Sequence, residues 1–421
     1  MCYSFMVGNT YPYSLEDWKE DIILASTHHI DGFALNVGPE EWQKRSISLC
    51  YAAALALGSP FKLFLSFDMT LIPGNTPEDV RLLREHVAMT AGHPHQLWYR
   101  GGVFVSTFAG QDQLFGFPDL EDAWAHVKDA LGEIAPIHLV PSFFIDPRRY
   151  PRISAMDGYF NWNGSWPIHL TIDAPRKEVE NAKLDTDCHH VHHLGARTFM
   201  AAVSPWFFTH YGPNSWTKNW IYRGDDWLLM RRWEQLVANR SQIDIVQIIS
   251  YNDFGESHYL GPIKGAQPNS QAWVDGYPHT AWLELSGYFA RAFKEGAYPP
   301  VERDRIFMWS RPHLKDAEAT EDEVPRPDRW QLTDDKFWVV VLATGPAEVL
   351  LATSDDAPAE RWVVKNGVSK LSHPMVAGAS MKATMVRDGI VVAGCTPRRD
   401  GFRVEKSPKT YNFNVYVAAS P

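Results

Sequence analysis

Ile243-Asp244-Ile245-Val246-Gln247-Ile248-Ile249-Ser250-Tyr251-Asn252-Asp253-Phe254-Gly255-Glu256-Ser257-His258-Tyr259 is the stretch whose reading decides the fold. Ile243 to Ile249 is rich in Ile and Val and short enough for a buried strand. It stops where two carboxylates begin among large rings, and in a barrel of parallel strands the active site lies at that end. Asp253 followed three residues later by Glu256 also fits a capping box at a helix start. No apolar helical spacing follows through Gly261 and Pro262, so a loop carrying two acids and several rings is the better description. Acids crowded by rings read as a sugar-cleaving site.

Working back along the chain, β-type runs alternate with helical stretches, as expected of about eight βα units around a parallel sheet. The expected strands are Tyr3–Val7, Gly32–Asn36, Lys62–Phe67, Val103–Phe108, Ile137–Phe144, Gly158–Asn161, Thr198–Val203 and Ile245–Ile249. Between them the helical stretches are Leu15–His28, Glu41–Leu57, Pro77–Met89, Leu120–Ile134, Pro175–Leu194 and Asp226–Asn239, with Thr280–Glu295 as the closing helix. This is an α/β chain with a (β/α)8 TIM-type barrel over residues 1–300. Polar and aromatic residues at strand ends converge on one face of such a barrel, and Asn36, Asp68, Trp162, Trp206, Asn252 and Asp253 sit at such ends. Asp68 ends an apolar strand, where a carboxylate serves solvation, a cap or a site.

Beyond Pro299-Pro300, which interrupts any helix, the pattern changes. Glu318 to Asp328 is acidic and proline-bearing, and short β-rich runs follow at Phe337–Leu342, Glu348–Leu351, Arg361–Val364, Met381–Val386 and Phe413–Ala418. Turn signals at Asn366-Gly367 and Asp388-Gly389 complete the case for a C-terminal all-β sandwich over residues 301–421. Its expected role is to brace the barrel, because Trp309 to His313 lies close to the boundary.

The whole chain of 421 residues carries a net charge of -10, which argues against nucleic acid and anionic membrane surfaces as partners. With 17 Trp among its rings, a neutral sugar substrate fits better, although most rings belong in the core. The four cysteines show no C-x-x-C spacing, and no run is long enough to span a bilayer. The chain begins almost inside a strand, so an extracellular or cell-wall location is expected if a signal peptide was removed, and an intracellular one otherwise. Sequons at Asn163 and Asn239 are too common a pattern to decide this. The usual dinucleotide, P-loop, α/β-hydrolase and zincin motifs do not occur. His189 and His193 within the run Cys188–His193 would share a helical face, raising a metal-dependent hydrolase; a third ligand is not signalled, so no metal or cofactor is expected.

The chain resembles the fungal α-1,3-glucanases (mutanases) of glycoside hydrolase family 71. The resemblance runs through Phe5–Tyr11, Asp31–Asn36, Phe64–Met69, Val105–Phe108, Ser204–Phe207, Asn252–Tyr259 and Trp309–His313. It implies an endo-acting, inverting glucan endo-1,3-α-glucosidase of fungal cell walls, with Asp253 and Glu256 as the catalytic pair and Asp68 as a further essential carboxylate. Glu256 is assigned as acid and Asp253 as base, splayed by a loop to the roughly 6.5–9.5 Å that inversion uses. The expected substrate-binding residues are Asn36, Trp162, Trp206, Tyr251, Asn252, His258 and Tyr259. The partner is then α-1,3-glucan and the protein a monomer. The rival reading is a non-catalytic glucan-binding barrel, whose acids only hydrogen-bond sugar hydroxyls.

Overall fold

Ser14 opens the first helix with a reciprocal cap: its hydroxyl accepts the Asp17 N–H and the Asp17 carboxylate accepts the Ser14 N–H. Such local signals set the βα rhythm of the computed structural model, which describes residues 1–180, 182–184, 186–397 and 401–421. These residues form two compact units. The first comprises Met1–Ser165, Leu184–Ser204 and Gln235–Asn252, and the second Trp166–Lys183, Pro205–Glu234 and Asp253–Pro421.

The first unit alternates strands β1 (Cys2–Met6), β2 (Gly32–Val37), β3 (Lys62–Asp68), β4 (Trp98–Tyr99), β5 (Gly102–Phe108), β6 (Ile137–Ser142), β7 (Gly158–Asn161) and β8 (Thr198–Val203) with helices. The helices are α1 (Leu15–Thr27), α2 (Gln43–Leu57), α3 (Val80–Thr90), α4 (Leu120–Gly132) and, after α5 (Arg176–Glu180) of the second unit, α6 (Asp187–Leu194). Two short strands of the second unit, β9 (Phe208–His210) and β10 (Asn219–Ile221), precede α7 (Leu228–Ala238) and β11 (Ile245–Ile248). A parallel ladder runs β6-β5-β3-β2-β1-β11-β8-β7, with β4 a short antiparallel addition beside β5. Glycine is required where neighbouring backbones close in: a Cβ on Gly32 would lie 2.2 Å from the Lys62 carbonyl oxygen, and one on Gly158 2.4 Å from that of Thr198.

All eight expected strands are present, with ends shifted by no more than two residues. The expected closed barrel is not shown, because among the described residues no ladder joins β6 to β7. A curled sheet stands in its place. Its two end strands are tied through Asp157, whose N–H donates to the Leu139 carbonyl at 2.9 Å. The Asp157 carboxylate accepts the Leu139 N–H at 2.8 Å and faces the Lys128 ammonium at 2.7 Å. The expected helix over 175–194 is instead two, α5 and α6; residues 181 and 185 lie outside the described residues.

In the second unit, β12 (Arg305–Ser310), β13 (Lys336–Ala343), β14 (Ala347–Ala352), β15 (Glu360–Val364), β16 (Gly367–Pro374), β17 (Lys382–Arg387), β18 (Ile390–Cys395) and β19 (Tyr416–Ala419) build two antiparallel four-stranded sheets. Their orders are β16-β13-β12-β19 and β15-β14-β17-β18. Ile306, Met308, Val339 and Val341 of one sheet share a buried core with Val349, Leu351, Ala383 and Met385 of the other. Asp388 and Gly389, both at positive φ, form the two-residue turn of the β17–β18 hairpin. Asn366-Gly367 instead precedes a strand that belongs to the opposite sheet from β15, so that turn is a crossover. The missed strands of the sandwich are β12, β16 and β18, and the short β4, β9 and β10 were not expected either. Besides the short α8 (Gln271–Val274), this unit contains α9 (Thr280–Glu295), whose Trp282 meets Trp309 of β12 edge to face at 5.5 Å.

Replacing Asp157 by Ala leaves the Leu139 N–H without its carboxylate acceptor, and urea denaturation should show a loss of about 1–3 kcal/mol. Asp157→Asn keeps an acceptor oxygen and should lose less; equal losses for the two would show that the hydrogen bond is not what ties the sheet ends.

Candidate active site

The residues leading into the acidic loop are held firmly. Tyr251 stacks on Phe5 at 4.9 Å and donates its hydroxyl to Asp21 at 2.9 Å. Asn252 accepts the Met6 N–H at 2.7 Å and donates to the Met6 carbonyl at 3.1 Å, while its own carbonyl accepts from the Asn9 amide.

Residues 253–259 form no helix. The Asp253 carboxylate does accept the Glu256 N–H at 3.2 Å, the bond a capping box would make, but Ser257 then takes a left-handed φ of 59° and the turn ends. The Glu256 carbonyl accepts the Phe208 N–H of β9 at 3.1 Å. Gly255 is obligatory, since a Cβ there would stand 2.6 Å from the Tyr211 hydroxyl. The tight turn thereby brings both carboxylates to one imidazole.

His258 is fully buried, and its Nε2 lies 3.1 Å from Glu256 Oε2 and 3.7 Å from Asp253 Oδ2. The Lys218 ammonium stands 3.3 Å from the other oxygen of Glu256. The rings of Trp166 and Phe207 lie 5.7 and 5.9 Å from the imidazole, and Tyr222 packs on Phe207 at 4.6 Å. Burial pushes the Asp253 carboxyl up to about 6, against the lowering effect of His258 and with the nearby Glu256 charge adding to the rise. Glu256 is also penalised by burial, but the hydrogen bond and charge of His258, followed by Lys218, outweigh that and hold it below the usual range. The two acids are driven toward opposite protonation states.

Asp253, Glu256 and His258 place one donor atom each within 4.8 Å of one another, so among the described residues they form a possible metal-ligand set. A cation would have to enter beside the Lys218 ammonium already facing Glu256. The histidine run forms no such group: His189 and His193 meet edge to face at 5.3 Å on α6. His190 is bonded to the Tyr150 hydroxyl, with burial lowering its pKa to about 4.

Of the other expected site residues, Asp68 lies in the first unit, at the end of β3, where its carboxylate accepts both the N–H and the hydroxyl of Thr70. Asn36, Trp162, Trp206, Tyr251, Asn252, His258 and Tyr259 are all buried. Trp206 donates to the Phe413 carbonyl, Tyr259 donates to that of Tyr277 and stacks on His279 at 4.1 Å, and Trp162 packs on Phe108. The polar groups of Trp206, Tyr251, Asn252 and Tyr259 are bonded to protein partners. Sequence reasoning missed Lys218 and Tyr211, which sit between two three-residue strands and carry no periodic signal.

Two carboxyls a few ångströms apart, one tending to keep its proton and one to lose it, are the equipment of a glycoside hydrolase. The sequence profile of Glycosyl hydrolase family 71 matches residues 1–421, and the chain belongs to that family. A glucan endo-1,3-alpha-glucosidase of Schizosaccharomyces pombe is 37% identical over 417 residues, covering 98% of this chain and 92% of that protein. A mutanase of Penicillium rubens is 34% identical over 427 residues, covering 99% and 87%. An ascus wall endo-1,3-alpha-glucanase of S. pombe is 31% identical over 359 residues, covering 80% and 77%.

A hydrolysis with Asp253 as acid and Glu256 as base would need the first protonated and the second ionised, and its rate should then fall as pH rises through about 6 and again on the acid side as Glu256 takes up a proton. Both limbs belong to the coupled pair. The Lys218 charge lowers both carboxyls, so Lys218→Met should move both limbs to higher pH while Lys218→Arg leaves them nearly in place. A Lys218→Met profile that coincides with the wild type would show that this ammonium does not tune the pair.

Proposed function

We propose that the protein is an endo-acting α-1,3-glucanase in which Asp253 is the general acid and Glu256 the general base. The observation that carries this is the opposed protonation of the two acids, in a chain whose relatives are named endo-1,3-α-glucanases and a mutanase. The roles are the reverse of the order assigned from sequence. Burial keeps the proton on Asp253, where it is available to the leaving glycosidic oxygen. Lys218 and His258 hold Glu256 by its two oxygens and favour its ionised form, ready to take a proton from the attacking water. After cleavage the proton has moved from Asp253 to the leaving sugar, and another from water to Glu256. Exchange with solvent restores both.

Inversion at the anomeric carbon is the stereochemistry that the family resemblance implies. The pair's closest oxygens lie within 4.8 Å, tighter than the roughly 6.5–9.5 Å typical of inverting pairs. Inversion therefore requires the sugar and water to part the side chains. Glu256 has the longer side chain and is 22% exposed, and its swing would require release from His258 and Lys218. The short separation favours a second reading, retention through a covalent intermediate, for which roughly 5–5.5 Å is usual. Asp68 stays in the proposal as an essential carboxylate on the family resemblance alone. On the same basis the substrate is cell-wall α-1,3-glucan met outside the cell, and the curled sheet is read as a (β/α)8 barrel whose last seam is the one spanned by Asp157.

Incubation with α-1,3-, α-1,4- and β-1,3-glucans, followed by NMR, should show cleavage of the first alone with the β anomer formed first. An initial α anomer would establish retention instead. Asp253→Asn and Glu256→Gln should each cost on the order of 10²–10⁴ in rate while glucan binding persists; near-normal turnover in either variant would remove that residue from catalysis, and wild-type protein that binds the glucan without cleaving it would be a binding protein. Activity should also survive EDTA, and a loss restored by a divalent cation would turn the same three side chains into a metal site.

A further inference from the structure

The hairpin of β9 and β10 pairs His210 with Asn219 and Phe208 with Ile221, leaving residues 211–218 as its tip. This tip is closed by its own hydrogen bonds: the Tyr211 N–H donates to the Lys218 carbonyl at 2.6 Å, and the Ser215 and Thr217 N–H groups donate to the Gly212 carbonyl. Lys218 reaches Glu256, and the Tyr211 hydroxyl stands against Gly255, so one short segment touches the catalytic turn twice.

The same tip carries Trp216, which is 55% exposed. Its ring meets Tyr211 edge to face, with centroids 4.5 Å apart and planes at 86°. Tyr211 is itself fixed, donating to the Pro268 carbonyl at 2.6 Å and packed edge to face on Trp273 at 4.9 Å. Scattered exposed apolar residues are ordinary. This one differs in being held by a buried, hydrogen-bonded ring that also contacts the residue between the two catalytic acids. A large flat surface kept in place yet open to water, one ring removed from the reacting groups, suits the CH-rich face of a neutral sugar.

We propose that Trp216 is a stacking platform for a glucose unit of the α-1,3-glucan chain beside the cleavage site. This rests on the glucanase reading above. The platform binds ground state and transition state alike, since it touches a sugar away from the bond being broken, so its energy lowers KM and leaves kcat alone.

The test is the kinetics of Trp216→Ala and Trp216→Phe on soluble α-1,3-gluco-oligosaccharides, together with cosedimentation of Glu256→Gln and Glu256→Gln/Trp216→Ala with insoluble α-1,3-glucan. Trp216→Ala should raise KM on the order of tenfold, with kcat within about twofold of wild type. Cosedimentation should weaken in parallel, and Trp216→Phe should recover most of both. An unchanged KM with active wild type overturns the platform and leaves the glucanase reading standing. So does a fall in kcat at constant KM, which would make Trp216 a support for the tip. Wild-type protein that neither binds nor cleaves α-1,3-glucan overturns both. Thermal unfolding of each variant separates these outcomes from misfolding, because truncating a half-exposed side chain should leave the midpoint near the wild-type value.

Discussion

The contact of one buried imidazole with two carboxylates governs the site. Removing a carboxylate from water costs several kcal/mol unless charge and hydrogen bonds replace its hydration. Glu256 receives that replacement from His258 on one oxygen and Lys218 on the other. Asp253 receives less, with His258 at 3.7 Å, and takes up a proton more readily. The asymmetry that acid–base cleavage needs is thus a by-product of unequal compensation for the same burial. The rings of Trp166 and Phe207 beside the imidazole exclude water and make every one of these charges count for more.

Holding that contact in register is the work of the second unit. Phe208 of β9 bonds the Glu256 backbone, Tyr211 abuts Gly255, and Lys218 comes from the other side of the same hairpin. Farther along the chain, Arg223 is buried against Asp225, Asp226 and Asp334, and the Trp338 indole of β13 donates to Asp225. Buried ion groups add little net stability when every partner is present, but removing one member leaves a charge uncompensated. The segment bearing the hairpin is therefore fastened to the sandwich at one geometry. Trp282 of α9 on Trp309 fastens the acidic loop's downstream helix to the same sandwich.

How much of this was legible follows from the range of each interaction. The eight parallel strands were readable because a strand buried on both faces is a run of apolar residues, and the Asp388-Gly389 hairpin because its turn demands positive φ at two successive residues. Asp253 and Glu256 were readable as a pair because they share one turn. The difference between their surroundings was not, since it depends first on the burial of each and on which of them the folded His258 imidazole approaches, and then on Lys218, brought in by a hairpin too short to leave a pattern. Tyr251 and Tyr259 flank the acids and Trp206 follows a strand end, so all three were expected at the sugar; their buried hydrogen-bond partners are distant or main-chain groups that spacing does not show. An aromatic near a strand end gains more by packing than by waiting for a ligand, unless the backbone holds it out.

That last condition distinguishes the residues around this site. Tyr251 and Tyr259 emerge from anchored backbone and turn inward, where their hydroxyls are satisfied by Asp21 and by a main-chain carbonyl. Trp216 sits on a loop tip closed by backbone hydrogen bonds of its own, and its edge-to-face contact with Tyr211 supports the ring while leaving it 55% exposed. Tyr211 is then the hinge of the arrangement: its ring supports an exposed indole, and its hydroxyl rests against the glycine between Asp253 and Glu256. A shift of that ring would be felt both where a sugar chain could be held and where the proton is transferred. On the proposed roles, binding and chemistry would meet at a side chain that does neither.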